Sequence, residues 1–221
     1  MTWLLHLMAS PRGAQSASAE VATTYIQALV EADSSIEVDL LNVWDEDLPE
    51  FGLDEINAKY AGIYGAPLTE RQRNAWDTLA PLVERIVRAD ELVISVPMWN
   101  FGIHYRLKHF IDLVSQKDYL FGFDEAGFSG LASARALLIC SRGLNFATGT
   151  DTPEAAFDHQ KSYMLMWLKF IGITDVRTVT LEQLVFGSEA DAASRAAARH
   201  AVLALARAVA DVIEDAAHNV K

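Results

Sequence analysis

Five short strand-like runs, the third of them nearly continuous in apolar residues, alternate with segments of helical periodicity and constrain this chain more than any other feature. The runs are Trp3 to Met8, Ile36 to Asn42, Leu92 to Val96, Arg135 to Cys140 and Val176 to Leu181. The helical segments are Ser18 to Glu31, Glu70 to Arg88, Ile103 to Gln116, Pro153 to Ile171 and Asp191 to His218. A run such as Leu92-Val93-Ile94-Ser95-Val96 does not alternate between apolar and polar, so it needs cover on both faces. Strict alternation supplies that cover through right-handed crossovers, which predicts an α/β fold with a doubly wound parallel sheet and helices on both sides. The strand order expected is 2-1-3-4-5.

Local signals sharpen the boundaries. Thr69-Glu70-Arg71-Gln72 has the form of a capping box, in which hydroxyl and amide side chains satisfy the first free amides of a helix. Pro81 falls inside that helix and is expected to kink it or divide it in two. Ile103, Leu107, Phe110, Ile111 and Val114 share one helix face, as do Val202, Leu205, Ala206, Val209 and Ile213. Val43 to Leu68 is too long for an ordinary crossover loop, and its acidic start and its aromatics Trp44, Phe51, Tyr60 and Tyr64 suit a lid, a partner surface or a solvated excursion.

The 221 residues, 51% of them hydrophobic, fit one globular domain spanning 1–221. With 18 basic against 30 acidic residues the formal charge is -12, which opposes binding to nucleic acid or to an anionic membrane. No apolar run approaches the roughly 18 residues that span a bilayer. Met1 to Ala9 lacks the basic leader of a signal peptide and reads as the first strand of a cytoplasmic protein. Cys140 stands alone in an apolar setting and reads as a buried structural thiol.

In an all-parallel sheet the loops that leave the strands gather on one edge, so Ser10 to Ser18, Pro97 to Gly102 and Ser141 to Thr150 should converge. Ser10, Ser16 and Ser18 place hydroxyls around a helix amino terminus, where free amides and the helix dipole favour an anion. Equally, Ser16 or Ser18 could be no more than an N-cap. Pro97-Met98-Trp99-Asn100-Phe101-Gly102 breaks a buried strand with a proline and two aromatics, as would suit the flat edge of a ring. The chain has neither GxGxxG nor GxxxxGK[ST], no HExxH, no Cys/His ligand cluster and no GxSxG, so a dinucleotide or ATP on the first loop, a metal site and a serine hydrolase are all disfavoured. A mononucleotide with an apolar, planar head remains.

Three motifs, in this order and spacing, make the chain resemble the FMN-dependent NADH-azoreductases, which are also NAD(P)H:quinone oxidoreductases of flavodoxin-like fold. They are Ser10-Pro11-Arg12-Gly13 with Ser16-Ala17-Ser18, Pro97-Met98-Trp99-Asn100-Phe101 with Leu107-Lys108 and Asp112, and Ser141-Arg142-Gly143. Phe170-Ile171-Gly172-Ile173 and Pro67-Leu68-Thr69 extend the similarity over nearly the whole chain. The resemblance implies that Ser10, Ser16, Ala17 and Ser18 hold the FMN phosphate. It implies that Met98, Trp99, Asn100 and Phe101, following Pro97, line the isoalloxazine, and that Ser141, Arg142 and Gly143 close over its other edge. Leu144 stands where the family usually has a second glycine, so a positive φ would be harder to adopt there and the loop could follow a different path. Trp99 stands where tyrosine is common. Phe121 and Trp167 occupy places where the family often puts substrate-pocket aromatics, and both also suit a core.

The activity implied is a ping-pong transfer of two electrons from NADH or NADPH through bound FMN to a quinone or azo compound, with no side chain as obligate acid or base. A homodimer with sites at the subunit interface is implied as well. A flavodoxin-type electron carrier and a flavin-free interaction scaffold are the alternatives.

Overall fold

The computed structural model describes residues 2–125 and 127–218, with side chains given up to residue 211 except that of residue 14. The elements are β1 (Thr2–Met8), α1 (Ala17–Ala32), β2 (Ile36–Asn42), α2 (Leu53–Tyr64), α3 (Glu70–Val87), β3 (Glu91–Pro97), α4 (Tyr105–Val114), β4 (Phe121–Asp124), β5 (Gly127–Gly130), β6 (Arg135–Ser141), α5 (Glu154–Phe157), α6 (Lys161–Phe170), β7 (Val176–Leu181) and α7 (Ser188–His218). Five strands form one parallel sheet in the order β2-β1-β3-β6-β7. Because β4 and β5 pair only with each other, this is the expected order 2-1-3-4-5 of the five predicted strands.

Side chains alternate across the sheet and sort into two cores. Leu5, Leu7, Leu92, Ile94, Val96, Leu138 and Cys140 face α3, α4 and α6; Leu4, Val93, Leu137, Ile139 and Val179 face α1 and α7. The apolar faces read from sequence are the ones used: Leu107, Phe110, Ile111 and Val114 of α4 are buried, as are Val202, Ala206 and Val209 of α7. The Ile213 side chain lies outside the described residues. The capping box on α3 is present in both directions, with Gln72 N donating to Thr69 Oγ1 at 3.3 Å and Thr69 N donating to Gln72 Oε1 at 2.9 Å.

Four readings are revised or sharpened by the structure. Pro81 does not divide its helix, since α3 runs unbroken from Glu70 to Val87 with Leu79, Leu82, Val83 and Ile86 buried on both sides of the proline. The segment Val43 to Leu68, left open as a lid, a partner surface or a solvated excursion, contains a helix not read from sequence, α2, begun at Gly52, whose amide donates to Glu55 Oε2 at 2.8 Å. The helix read over Pro153 to Ile171 is two, α5 and α6, because Asp158 turns its carboxylate back onto the amides of Gln160 and Lys161 at 2.9 and 2.8 Å. A hairpin, β4–β5, intervenes between α4 and β6. It sits against the end of α6 through Gly130 and Gly172, where a Cβ on Gly130 would lie 2.0 Å from Gly172 N.

Candidate functional site

The loops leaving β1, β3, β6 and β7 enclose a cleft of about 520 Å³, within the range of small-molecule and cofactor sites. Nine of the residues singled out from sequence line it: Ser10, Ser16, Ala17, Pro97, Met98, Trp99, Ser141, Arg142 and Gly143.

At one end stands the amino terminus of α1. Ser16 occupies the N-cap position, but its side chain makes no capping bond; its Oγ lies 3.2 Å from Ser18 Oγ, and both serines are buried. The reading of Ser16 as only an N-cap therefore fails. The first-turn amides of a helix have no internal partner, and those of α1 open toward the cleft at Ala17. The acid in that turn, Glu20, is occupied by Arg195 Nη1 at 2.5 Å and by Arg199. Arg12 adds positive charge to the lining, while Arg195 is paired with Glu20 and with Asp191. This end suits an anion.

At the other end the β3 exit makes a tight turn. Trp99 and Gly102 exchange amide-to-carbonyl bonds of 3.0 Å each way, and the two residues between them, Asn100 and Phe101, have φ of 47° and 69°. Such left-handed conformations cost about 1–3 kcal/mol apiece in non-glycine residues and cluster at functional sites. They persist here because the turn is anchored: Met98 N donates to Ser141 O at 2.7 Å, and His159 N donates to Phe101 O at 2.9 Å. Trp99 and Phe101 remain more than one-third exposed, so the wall presents flat apolar surface.

The third loop carries Arg142, which lines the cleft. Its side chain does not reach toward a ligand; it is 2% exposed and held by Glu154, Asp158 and Glu182. Burial alone would lower its pKa, yet the hydrogen bonds it donates to Glu154 and Glu182 raise it above the usual arginine value. Glu154 is correspondingly held below the usual carboxylate range, by Arg142 first and Lys161 next. Its backbone amide is engaged as well, donating to Leu181 O at 2.9 Å, so Arg142 lines the cleft as a fixed part of the wall. Gly143 carries no Cβ because one would press to 3.1 Å from Val185 Cγ1. Leu144 adopts no positive φ; the left-handed residue is instead Gln183 across from it, φ 61°, whose amide donates to Leu144 O at 3.1 Å.

Other predicted residues stand apart. Ser18 backs Ser16, Asn100 and Phe101 form the turn beyond Trp99, and Leu144 lies outside the lining. Trp167 is a core residue rather than a pocket wall, 2% exposed with its Nε1 donating to Ser115 Oγ at 3.0 Å. Phe121 is also buried, packed 4.7 Å from the Phe170 ring on the hairpin and not on the cleft. Sequence reasoning missed the β7 exit, where Leu184, Val185, Ser188 and Asp191 complete the lining. The topology places that loop on the same edge, so the rule that gathered the other three could have found it.

Cys140 lies behind the site, its thiol pushed up to about 12 by burial, with Asp158 adding to the shift. His104, next to Trp99, is lowered to about 4, again chiefly by burial.

The family described as "Flavodoxin-like fold" matches residues 2–206. FMN-dependent NADH:quinone oxidoreductase 2 of Burkholderia lata is 44% identical over 197 residues, 89% of this chain and 95% of that protein. FMN-dependent NADH:quinone oxidoreductase 3 of Pseudomonas fluorescens is 44% identical over 212 residues, 95% of this chain and 98% of that one. Among solved structures, an azoreductase from Bacillus anthracis superposes with a TM-score of 0.82 at 25% identity, covering 93% of this chain and 99% of the other.

Proposed function

The chain belongs to the flavodoxin-like family of the FMN-dependent NADH:quinone oxidoreductases, and from that premise we propose that it holds FMN in the four-loop cleft and passes two electrons from NADH to a quinone or azo acceptor. The observation that carries this is the pairing, in one cleft, of an anion-favouring helix start at Ser16–Ala17 with an apolar turn at Met98–Trp99.

The residues present fit FMN. The Ser16 hydroxyl, backed by that of Ser18, together with the α1 amides and Arg12 suits a phosphate. The strained turn and the backbone of Ser141–Gly143 suit the edges of a flat ring. When bound, FMN supplies the hydride chemistry that no side chain here provides. What the protein contributes is position: α1 holds the anion, Met98 and Trp99 set the plane of the stack and keep water from it, and the Arg142 cluster fixes the third loop beneath. Protons come from solvent, since neither His104 nor Cys140 titrates in the neutral range. A single cleft of this size leaves donor and acceptor to share one open face, which favours their visiting in turn, a ping-pong order.

A homodimer joined near the cleft is part of the same reading. Exposed apolar groups accumulate there and on the hairpin, including Trp99, Phe101, Tyr105, Phe123 and Phe128, more than isolated surface residues require. No helix among the described residues is long and apolar enough to cross a membrane, and we place the chain in the cytoplasm.

The test is reconstitution with FMN, gel filtration to remove what is loose, and initial rates with NADH and either a benzoquinone or an azo dye. Retained FMN and parallel double-reciprocal lines are expected. Retained FMN without NADH oxidation would instead identify an electron carrier, and colourless protein would end the proposal.

A further inference from the structure

Trp44, in the turn after β2, does not line the cleft but touches both of its ends. Its Nε1 donates to the carbonyl of Ala9 at 3.0 Å, and Ala9 is the residue that precedes Ser10. Its ring lies 5.9 Å from Trp99 with the planes 41° apart, 5.2 Å from His104 at 33° and 5.5 Å from Tyr105 edge-on. These separations are those of packed aromatic pairs. The contacts close a loop, because Trp99 and His104 are themselves 5.3 Å apart.

His104 is rigid within this group. Its Nδ1 accepts from Leu107 N at 3.2 Å as the N-cap of α4, so in the neutral ring the proton sits on Nε2. That buried Nε2 has no hydrogen-bond partner among the described residues and faces the Ala9 carbonyl already engaged by Trp44. One carbonyl at the head of the first loop is thus gripped by one indole and flanked by an imidazole, and the same indole stands behind the aromatic wall of the second loop.

We propose that Trp44 is a positioning residue that fixes the Ala9–Ser10 backbone and the plane of Trp99 together, and thereby decides how large a flat acceptor the cleft admits. This deepens the reading of the cleft as an FMN and acceptor site and rests on it. The two duties reside in different atoms: the N–H holds the first loop, and the ring mass blocks retreat of Trp99.

Two variants separate them. Trp44→Phe keeps a ring behind Trp99 and loses the N–H, whereas Trp44→Ala loses both. FMN titrated into the ligand-free proteins and followed by flavin fluorescence should show Kd raised roughly 2- to 10-fold in both variants, the range of one hydrogen bond. The ratio of kcat/KM for 1,4-benzoquinone to that for a three-ring anthraquinone sulfonate should stay within about twofold in Trp44→Phe and shift at least about fivefold toward the larger acceptor in Trp44→Ala, as a vacated indole allows. A folded Trp44→Ala protein with both quantities unchanged overturns the proposal; if that variant does not fold, unchanged FMN affinity in Trp44→Phe overturns it. Independently of FMN, the Ser10 amide in ¹H–¹⁵N spectra of ligand-free Trp44→Phe should move, since the bond lost is the one to Ala9 O, and a Ser10 amide that stays in place overturns the proposal. A wild-type chain that neither retains FMN nor oxidises NADH would sink the functional reading alone, and the amide shifts would then decide the role of Trp44.

Discussion

Arg142 Nη1 donates to Asp158 Oδ2 at 2.5 Å, with both side chains 2% exposed. The pair links the end of β6 to the break between α5 and α6, and the same guanidinium reaches Glu182 just past β7. Removing one member of such a pair strands a buried charge, which costs about 3–5 kcal/mol. Asp158→Asn keeps an oxygen for the Gln160 and Lys161 amides but loses the charge. Its melting temperature should fall by about 6–20 °C, at roughly 2–4 °C per kcal/mol for a chain of this length. A shift under about 2 °C would show that Glu154 and Glu182 suffice to balance Arg142.

Gly130 and Gly172 let the hairpin and the α6 end touch backbone to backbone. A Cβ on Gly172 would approach Ala132 O to 2.5 Å, and its φ of +108° is one that L side chains rarely adopt. Gly172→Ala should therefore cost about 3 kcal/mol or more, measured by urea unfolding. Gly62→Ala is the control, since nothing lies within 4 Å of the added methyl there and the change should be neutral or stabilising.

Ser16→Ala and Ser18→Ala test the anion end. A hydrogen bond to a charged group is worth about 1.5–3 kcal/mol, so each variant that loses a phosphate contact should bind FMN at least about tenfold more weakly. Riboflavin, which lacks the phosphate, should bind wild type and variants alike. Equal loss for both ligands would place the phosphate elsewhere.

Folding lowers the pKa of His6 from 6.5 to about 4 by burial, where its Nε2 meets Ser95 Oγ at 2.9 Å. Between those two pH values the unfolded chain binds more protons than the folded one, so stability falls on acidification through that window and is complete above it. His6 should account for about 2 kcal/mol of the loss between pH 7.5 and pH 5. His104, lowered in the same direction, adds to it. His6→Asn, compared by urea midpoints at the two pH values, should show a visibly smaller drop than wild type; an equal drop would assign the acid sensitivity elsewhere.

The parts of the fold legible in the sequence are those that bury continuous apolar runs. Val93 and Ile94 are covered from opposite sides, and no local pattern competes with that signal. Helix α2 escaped because its only fully buried side chain is Ala58, so its apolar residues Leu53, Ile56, Tyr60 and Tyr64 point outward and report no core. The break at Asp158 and the internal engagement of the Arg142 guanidinium share one cause, an ion pair between residues 16 apart in the chain that helical periodicity cannot register. Likewise the motif around Ser141 named the right loop but carried no signal for the acidic partners that engage the Arg142 side chain. The first and second loops were readable because proline, serine and aromatic residues act there through local backbone geometry.

Anaerobic mixing of the FMN-loaded protein with NADH, and then with a quinone, tests the central claim most directly. NADH alone should bleach the flavin absorbance within the turnover time, and one equivalent of benzoquinone should restore it with no NADH present. Flavin that keeps its colour until quinone and NADH are both added, or that never bleaches, would contradict electron transfer through this cleft.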